Sequence, residues 1–223
     1  MIQNGEGGLA FSCRRCGECC SGNMAVFLNP RDIRNLAGFL GTEAEELFRQ
    51  GRLKLSRGQN GLILPRLRFG GRRPGFCPFS ENQADPGGET GGPWRCLCRL
   101  HGGGESSEKS GKPLVCRLSP LARRVDFSRP RGRRPYTETW ALVPPVEGCP
   151  GCSPAADSPL VKEYRLARLA PLREELAEEA AFFKAAKEGQ EAGLPEEELF
   201  FELFGFKAAG ISSPSCSFRK TRV

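Results

Sequence analysis

The sequence predicts an α+β chain in which a small, irregular, metal-stapled domain with short helices and a hairpin is followed by C-terminal helices. Three observations carry this. A C-x2-C-x2-C-C run (Cys13, Cys16, Cys19, Cys20) opens a chain of 223 residues with 11 cysteines. The 28 Gly and 18 Pro leave long stretches unable to form regular helices or strands. The longest helical periodicity lies towards the C-terminus. The expected division is a cysteine-cluster metal-binding domain over residues 1–153 and a helical extension over 154–223 that packs on it.

The elements can be justified in order. Asn29-Pro30 reads as an N-cap followed by Pro at the first helical position, with Ile33, Leu36, Ala37 and Leu40 at helical spacing and Gly41 as the stop. Thr42 with Glu45 has the pattern of a capping box opening a second short helix, whose buried side is Leu47 and Phe48. Residues 52–69 hold Leu53 and Leu55, a Gln59-Asn60-Gly61 turn signal and the run Leu62 to Leu64, the pattern of a hairpin. Residues 70–112 read mostly as loop, with Gly-rich segments on both sides of Cys96 and Cys98.

The run Tyr136 to Val143 mixes aromatic and β-branched residues and predicts a strand that leads through Pro144-Pro145 to Cys149. Ser158-Pro159 opens the strongest helical pattern, through Leu166, Leu169, Leu172, Leu176, Ala180 and Phe183. Pro171 is expected to kink it and Gly189 to end it. A last short helix is expected over Pro195 to Phe204, its Leu199, Phe200, Leu203 and Phe204 packing on the metal domain in preference to a partner.

Cysteines in such number mean disulfides in an oxidising compartment or metal thiolates in a reducing one. Met1 to Ala10 lack a basic stretch and an apolar core, so no secretory signal is read, and no apolar run approaches the roughly 20 residues of a membrane helix. With an odd cysteine count, this favours metal thiolates and a cytoplasmic setting. The formal charge of +7 is uneven: residues 1–150 carry 23 Lys/Arg against 14 Asp/Glu, and residues 151–223 carry 10 against 12. Thiolates at a metal bring negative charge that the excess Arg would offset.

Turns within C-x2-C-x2-C can aim several sulfurs at one centre, as in ferredoxins, and Gly17 and Gly22 supply the backbone freedom that such turns need. Further along, Cys77-Pro78, Cys98, Cys116 and Cys149-Pro150 each stand in a loop-like setting, where a thiol has no core to fill. In ferredoxins the run leaves its fourth corner to a distant cysteine, commonly one before Pro, and Cys77 and Cys149 both fit. The expected partition puts Cys13, Cys16 and Cys19 on one iron-sulfur cluster with Cys77 or Cys149, and Cys20, Cys98, Cys116 and the remaining cysteine at a second site, because adjacent Cys19 and Cys20 project in different directions.

The segments CRRCGECC, GFCPF, CRLH, KPLVCRLSP and GCPG together resemble the YkgJ family of CxxCxxCC proteins, a group that includes the flagellin lysine N-methylase FliB. The likeness runs over about residues 11–151 and takes in the NPRDIRNLAGFLG helix. It implies a zinc- or iron-chelating domain whose metal ligands map onto Cys13, Cys16, Cys19, Cys20, Cys77, Cys98, Cys116 and Cys149. Cys96, Cys152 and Cys216 fall outside that pattern, as does the HGGGESSEKSGK segment, which is longer than the family's usual link.

Other candidates are weaker. His101, the only histidine, fits a packing role near Cys98 better than a ligand role. The basic stretch SRPRGRRP, with Arg129, Arg131, Arg133 and Arg134, lacks an aromatic stacking platform, so nucleic acid is disfavoured. The absence of a phosphate loop or dinucleotide fingerprint disfavours an ordinary Rossmann-type methyltransferase.

The expected function is a metalloprotein binding one or more iron-sulfur clusters, 4Fe-4S foremost, in electron transfer or S-adenosylmethionine-dependent protein modification. A protein substrate or a redox partner is then implied. The alternative is a non-catalytic module held by zinc or by mononuclear iron, in which metal replaces a hydrophobic core.

Overall fold

The computed structural model describes residues 8–11, 20–21, 24–58, 61–70, 75–84, 94–100, 110–129, 135–142, 152–155 and 169–206. Its class is mixed α+β, with helices and two-stranded antiparallel sheets.

Helix α1, Pro30–Leu40, starts and stops where the sequence places it. Asn29 caps it by accepting the Asp32 N–H on its side chain at 2.8 Å, and Asp32 returns the bond by accepting the Asn29 N–H at 3.2 Å. Gly41 ends it in the left-handed region, at φ 62°, which lets the Thr42 N–H reach the Ala37 carbonyl at 3.0 Å. Helix α2, Ala44–Arg49, is capped one residue later than expected: Glu43 is the N-cap and makes no side-chain cap bond, so the Thr42–Glu45 box does not form. Leu47 and Phe48 are its buried side, as read.

The expected hairpin is present as β2, Leu53–Arg57, against β3, Ile63–Leu67, with Leu53 opposite Leu67 and Arg57 opposite Ile63. Alternation along a strand sends Leu64 and Leu67 to opposite faces, and both are buried. Leu67 joins Val26, Leu28, Ile33, Leu36, Leu47, Phe48 and Leu53 in one core, while Leu62 and Leu64 join Phe182, Ala186 and Leu199 in another. The hairpin is thus covered on both sides, by the N-terminal helices and by the C-terminal ones.

Two strands appear in the segment read as mostly loop: β4, Ser80–Ala84, pairs antiparallel with β5, Trp94–Cys98. Cys96 and Cys98 therefore stand on a strand, and Cys116 stands on the short helix α3, Leu114–Leu118; none of the three is in a loop. The spacing of Gly and Pro concealed this, because β4 is entirely Ser, Glu, Asn, Gln and Ala and carries no apolar alternation. Strand β7, Thr137–Leu142, falls where the aromatic and β-branched run predicts, and pairs with β6, Leu121–Asp126. The remaining pair joins the ends of the cysteine region: β1, Gly8–Phe11, lies antiparallel to β8, Cys152–Ala155.

In the tail, Pro171 lies in the 3-10 turn Ala170–Leu172 ahead of α4, Arg173–Glu191, and so precedes the helix instead of kinking it. Gly189 is buried inside α4 and does not end it: a Cβ there would stand 2.4 Å from Leu199 Cδ1, so the missing side chain lets the next helix approach. That helix, α5, is Glu196–Phe204. Its Phe200 belongs to the N-terminal core with Leu36 and Phe48. Leu172 and Leu176 pack with Leu114 and Leu118 of α3. The start of the helical pattern at Ser158-Pro159 lies outside the described residues.

Polar contacts tie the same parts together. Arg31 Nη1 pairs with Glu178 at 2.6 Å, and Arg57 forms a two-pronged contact with Glu196 at 2.6 and 2.8 Å. Arg123, its side chain only 4% exposed, reaches Glu138 at 3.1 Å, Glu179 at 2.9 Å and the Leu176 carbonyl at 2.9 Å. Its guanidinium also lies over the Tyr136 and Trp140 rings.

Because Phe200 completes the core of the N-terminal region, its truncation should lower the stability of the whole chain and not of the tail alone. Phe200→Ala is expected to cost about 3 to 5 kcal/mol and to leave a single urea transition. A first transition confined to helix loss, followed by a second at the wild-type midpoint, would show that the tail melts separately.

Candidate metal centre

Backbone pairing brings three of the expected ligand positions together from segments far apart in sequence. The Cys77 N–H donates to the Cys20 carbonyl at 2.8 Å, and Ser21 bridges Phe76 beside it. The Cys77 carbonyl in turn accepts from the Ser80 N–H at 3.1 Å and from Ser80 Oγ at 2.8 Å. Ser80 is the register partner of Cys98 in β4–β5. A continuous path of backbone contacts thus runs Cys20, Cys77, Ser80, Cys98. Each step runs through the backbone, by an N–H to carbonyl bond or by strand pairing.

Cys116 joins from α3. Cys77, Cys98 and Cys116 all pack against the core that contains Leu36 and Phe48. The Cys116 thiol is close enough to Cys77, Cys98 and Asp32 for each to disfavour its negative charge. Burial is the larger effect, and Lys112 works the other way; together they push the thiol up to about 12. The residue as a whole is half-buried, but its sulfur is enclosed. Cys96, buried at 8% exposure, is two residues from Cys98 and so on the same face of β5.

Among the described residues, no three His, Cys, Asp or Glu side chains are arranged to hold a metal ion. The backbone converges while the side chains do not yet form a closed ligand set. As a donor set, thiols without histidine suit iron-sulfur clusters or zinc better than harder cations.

Of the other expected ligands, Cys13, Cys16, Cys19 and Cys149 lie outside the described residues, as do His101, Cys216, Arg131, Arg133 and Arg134. The strands around them are nevertheless informative: Phe11 is the register partner of Cys152. The chain therefore enters the Cys13 run and leaves the Cys149 run at neighbouring backbone positions.

One residue at the centre carries no role in the sequence reading beyond its place in a helix. Asp32 is 4% exposed, and its Oδ1 accepts the Leu114 N–H, the first of α3, at 2.7 Å. Burial raises its carboxyl from 3.8 to about 7, opposed by the N–H groups of Leu114 and Asn29; Glu179 adds to the rise and Arg117 opposes it. The signals in the sequence are its position three residues after Asn29, which marks a helix cap, and its place in the NPRDIRNLAGFLG helix of the YkgJ resemblance; neither hints at a contact 82 residues away.

No family model matches this chain, nor does any curated protein or solved structure. Among the described residues, no helix is long and apolar enough to cross a membrane.

The raised carboxyl of Asp32 sets a pH dependence. The folded chain holds this proton more tightly than the unfolded chain, whose carboxyl titrates near 3.8. The stability it contributes is fully present below about pH 4 and is lost as pH rises towards 7, with a slope of up to about 1.4 kcal/mol per pH unit. Asp32→Asn should flatten that slope, measured by urea titration of the metal-free chain between about pH 4.5 and 8. Parallel slopes for wild type and variant would remove Asp32 as the source.

Proposed function

We propose that this chain is a cysteine-cluster metalloprotein of the kind the YkgJ resemblance implies, holding iron-sulfur clusters at two centres. One is formed by Cys20, Cys77, Cys98 and Cys116; the other by Cys13, Cys16, Cys19 and Cys149. The observation that carries the reading is the convergence of Cys20, Cys77, Cys98 and Cys116 from four separate segments. Cys77 stands beside Cys20 in the backbone and acts on Cys116 electrostatically, which favours assigning it to the Cys20 centre and leaving Cys149 to complete the Cys13 cluster. The pairing of Phe11 with Cys152 supports that assignment, because Cys13 and Cys149 are two and three residues from those partners and a chain spans at most about 3.6 Å per residue.

Ligation at the Cys20, Cys77, Cys98 and Cys116 centre would have to draw the sulfurs together, since they do not form a closed ligand set among the described residues. The apolar core beside Cys77, Cys98 and Cys116 would shield a cluster there and help set its potential. An iron-sulfur cluster supplies one-electron chemistry. Electron transfer to a protein partner, or reductive support of an S-adenosylmethionine-dependent protein modification, is the activity class proposed, in the cytoplasm.

Purified without oxygen, the chain should be brown, bleach on reduction and contain iron with acid-labile sulfide. Cys77→Ser, Cys98→Ser and Cys116→Ser should each deplete the same spectral component, Cys16→Ser a different one, and Cys216→Ser neither. Stoichiometric zinc without sulfide would replace this reading by a non-catalytic zinc module. A chain that takes up neither metal would end both.

A further inference from the structure

We propose that Asp32 is the positioning residue of the Cys20, Cys77, Cys98 and Cys116 centre: its carboxylate fixes the start of α3, and through it the position of Cys116. The inference rests on the metal reading above and adds a residue that is not itself a ligand.

Helix α3 has five residues, Leu114–Leu118, too few to be stable alone, and its N-cap residue Pro113 supplies no side-chain cap. Its first N–H would lack a partner in a buried place. Asp32 Oδ1 meets it at 2.7 Å, from the first turn of α1. The other carboxylate oxygen is held at 3.2 Å by the Asn29 N–H, so the group cannot turn without giving up its place in the α1 cap. The far side of α3 is held by the tail, through Leu114 and Leu118 against Leu172 and Leu176 and through a two-pronged Arg117–Glu175 ion pair. Cys116 thus lies on one turn of helix fixed at its start to α1 and along its length to α4.

Burial of a carboxylate is costly unless it is well hydrogen-bonded. A surface Ser or Asp would cap α1 without that cost. Here the carboxylate holds N–H groups of two elements at once, Asn29 at the start of α1 and Leu114 at the start of α3. The groups acting on Asp32 are the Asn29 and Leu114 N–H, Arg117 and Glu179, so it stands between the two helices.

The test uses the full chain as wild type, Asp32→Ala, Asp32→Asn and Asn29→Ala. Each is loaded without oxygen with ferrous iron and sulfide, with zinc, or with cobalt(II), and metal affinity is read by chelator competition. Asp32→Ala should weaken binding about 10- to 100-fold, the usual effect of losing a group that orients a ligand. Asp32→Asn should fall between it and wild type, since its single oxygen must serve two N–H groups. Asn29→Ala loses a cap bond of the same helix but keeps the Asp32–Leu114 contact, so its metal affinity should match wild type. In the cobalt form, Asp32→Ala should also lose thiolate charge-transfer intensity, which a uniform loss of stability would leave intact.

If both Asp32 variants bind metal as wild type does, or if Asn29→Ala falls as far as they do, the inference is overturned and the metal reading stands. If Asp32→Ala does not fold, Asp32→Asn against Asn29→Ala decides on the same terms. A wild-type chain that binds none of these metals overturns both.

Discussion

The bond from the Leu114 N–H to the buried carboxylate of Asp32 joins two helices that the sequence keeps 82 residues apart, and Cys116 stands on the second of them. A one-turn helix has no cooperative stability of its own. It takes its orientation from what holds its ends, here a carboxylate on one side and a leucine pair with an ion pair on the other. Cys20, Cys77 and Cys98 are placed by a different device, a run of backbone hydrogen bonds through Ser80. The candidate centre therefore stands where a backbone ladder meets a side-chain brace.

The basic excess of the N-terminal region has a second use in this fold. Arg31, Arg57, Arg117 and Arg123 meet Glu178, Glu196, Glu175 and Glu179 of the tail. Part of the positive charge is thus taken up by the tail glutamates and not held for thiolates. The enclosed pairs at Arg117 and Arg123 matter more than the exposed ones at Arg31 and Arg57, because water screens the latter and removing one partner of a buried pair leaves an uncompensated charge.

An apolar core also changes how the metal would matter. A loop-rich chain with few apolar clusters would lean on metal for its order, but residues between Val26 and Leu100, with Phe200, enclose a shared apolar core. Metal at Cys20, Cys77, Cys98 and Cys116 would then lock the edge of a preformed scaffold. That arrangement suits a centre whose surroundings must stay fixed when its charge changes.

The sequence alone determined the elements whose cause is local. Asn29-Pro30 with Gly41, the hairpin of Leu53–Arg57 and Ile63–Leu67, and the strand around Trp140 each follow from capping, turn chemistry and alternation within a few residues. It also marked Cys20, Cys77, Cys98 and Cys116 as chemically noteworthy, since thiols at such spacing have few other uses. Tertiary structure alone decided what depends on distant partners. The polar strand Ser80–Ala84 exists because Trp94–Cys98 pairs with it. Gly189 lies inside a helix because Leu199 needs the space, and Asp32 is buried because Leu114 brings it an N–H. A residue's own neighbours in the chain reveal its propensity; the partner that satisfies its hydrogen bond or fills its space is set by the fold.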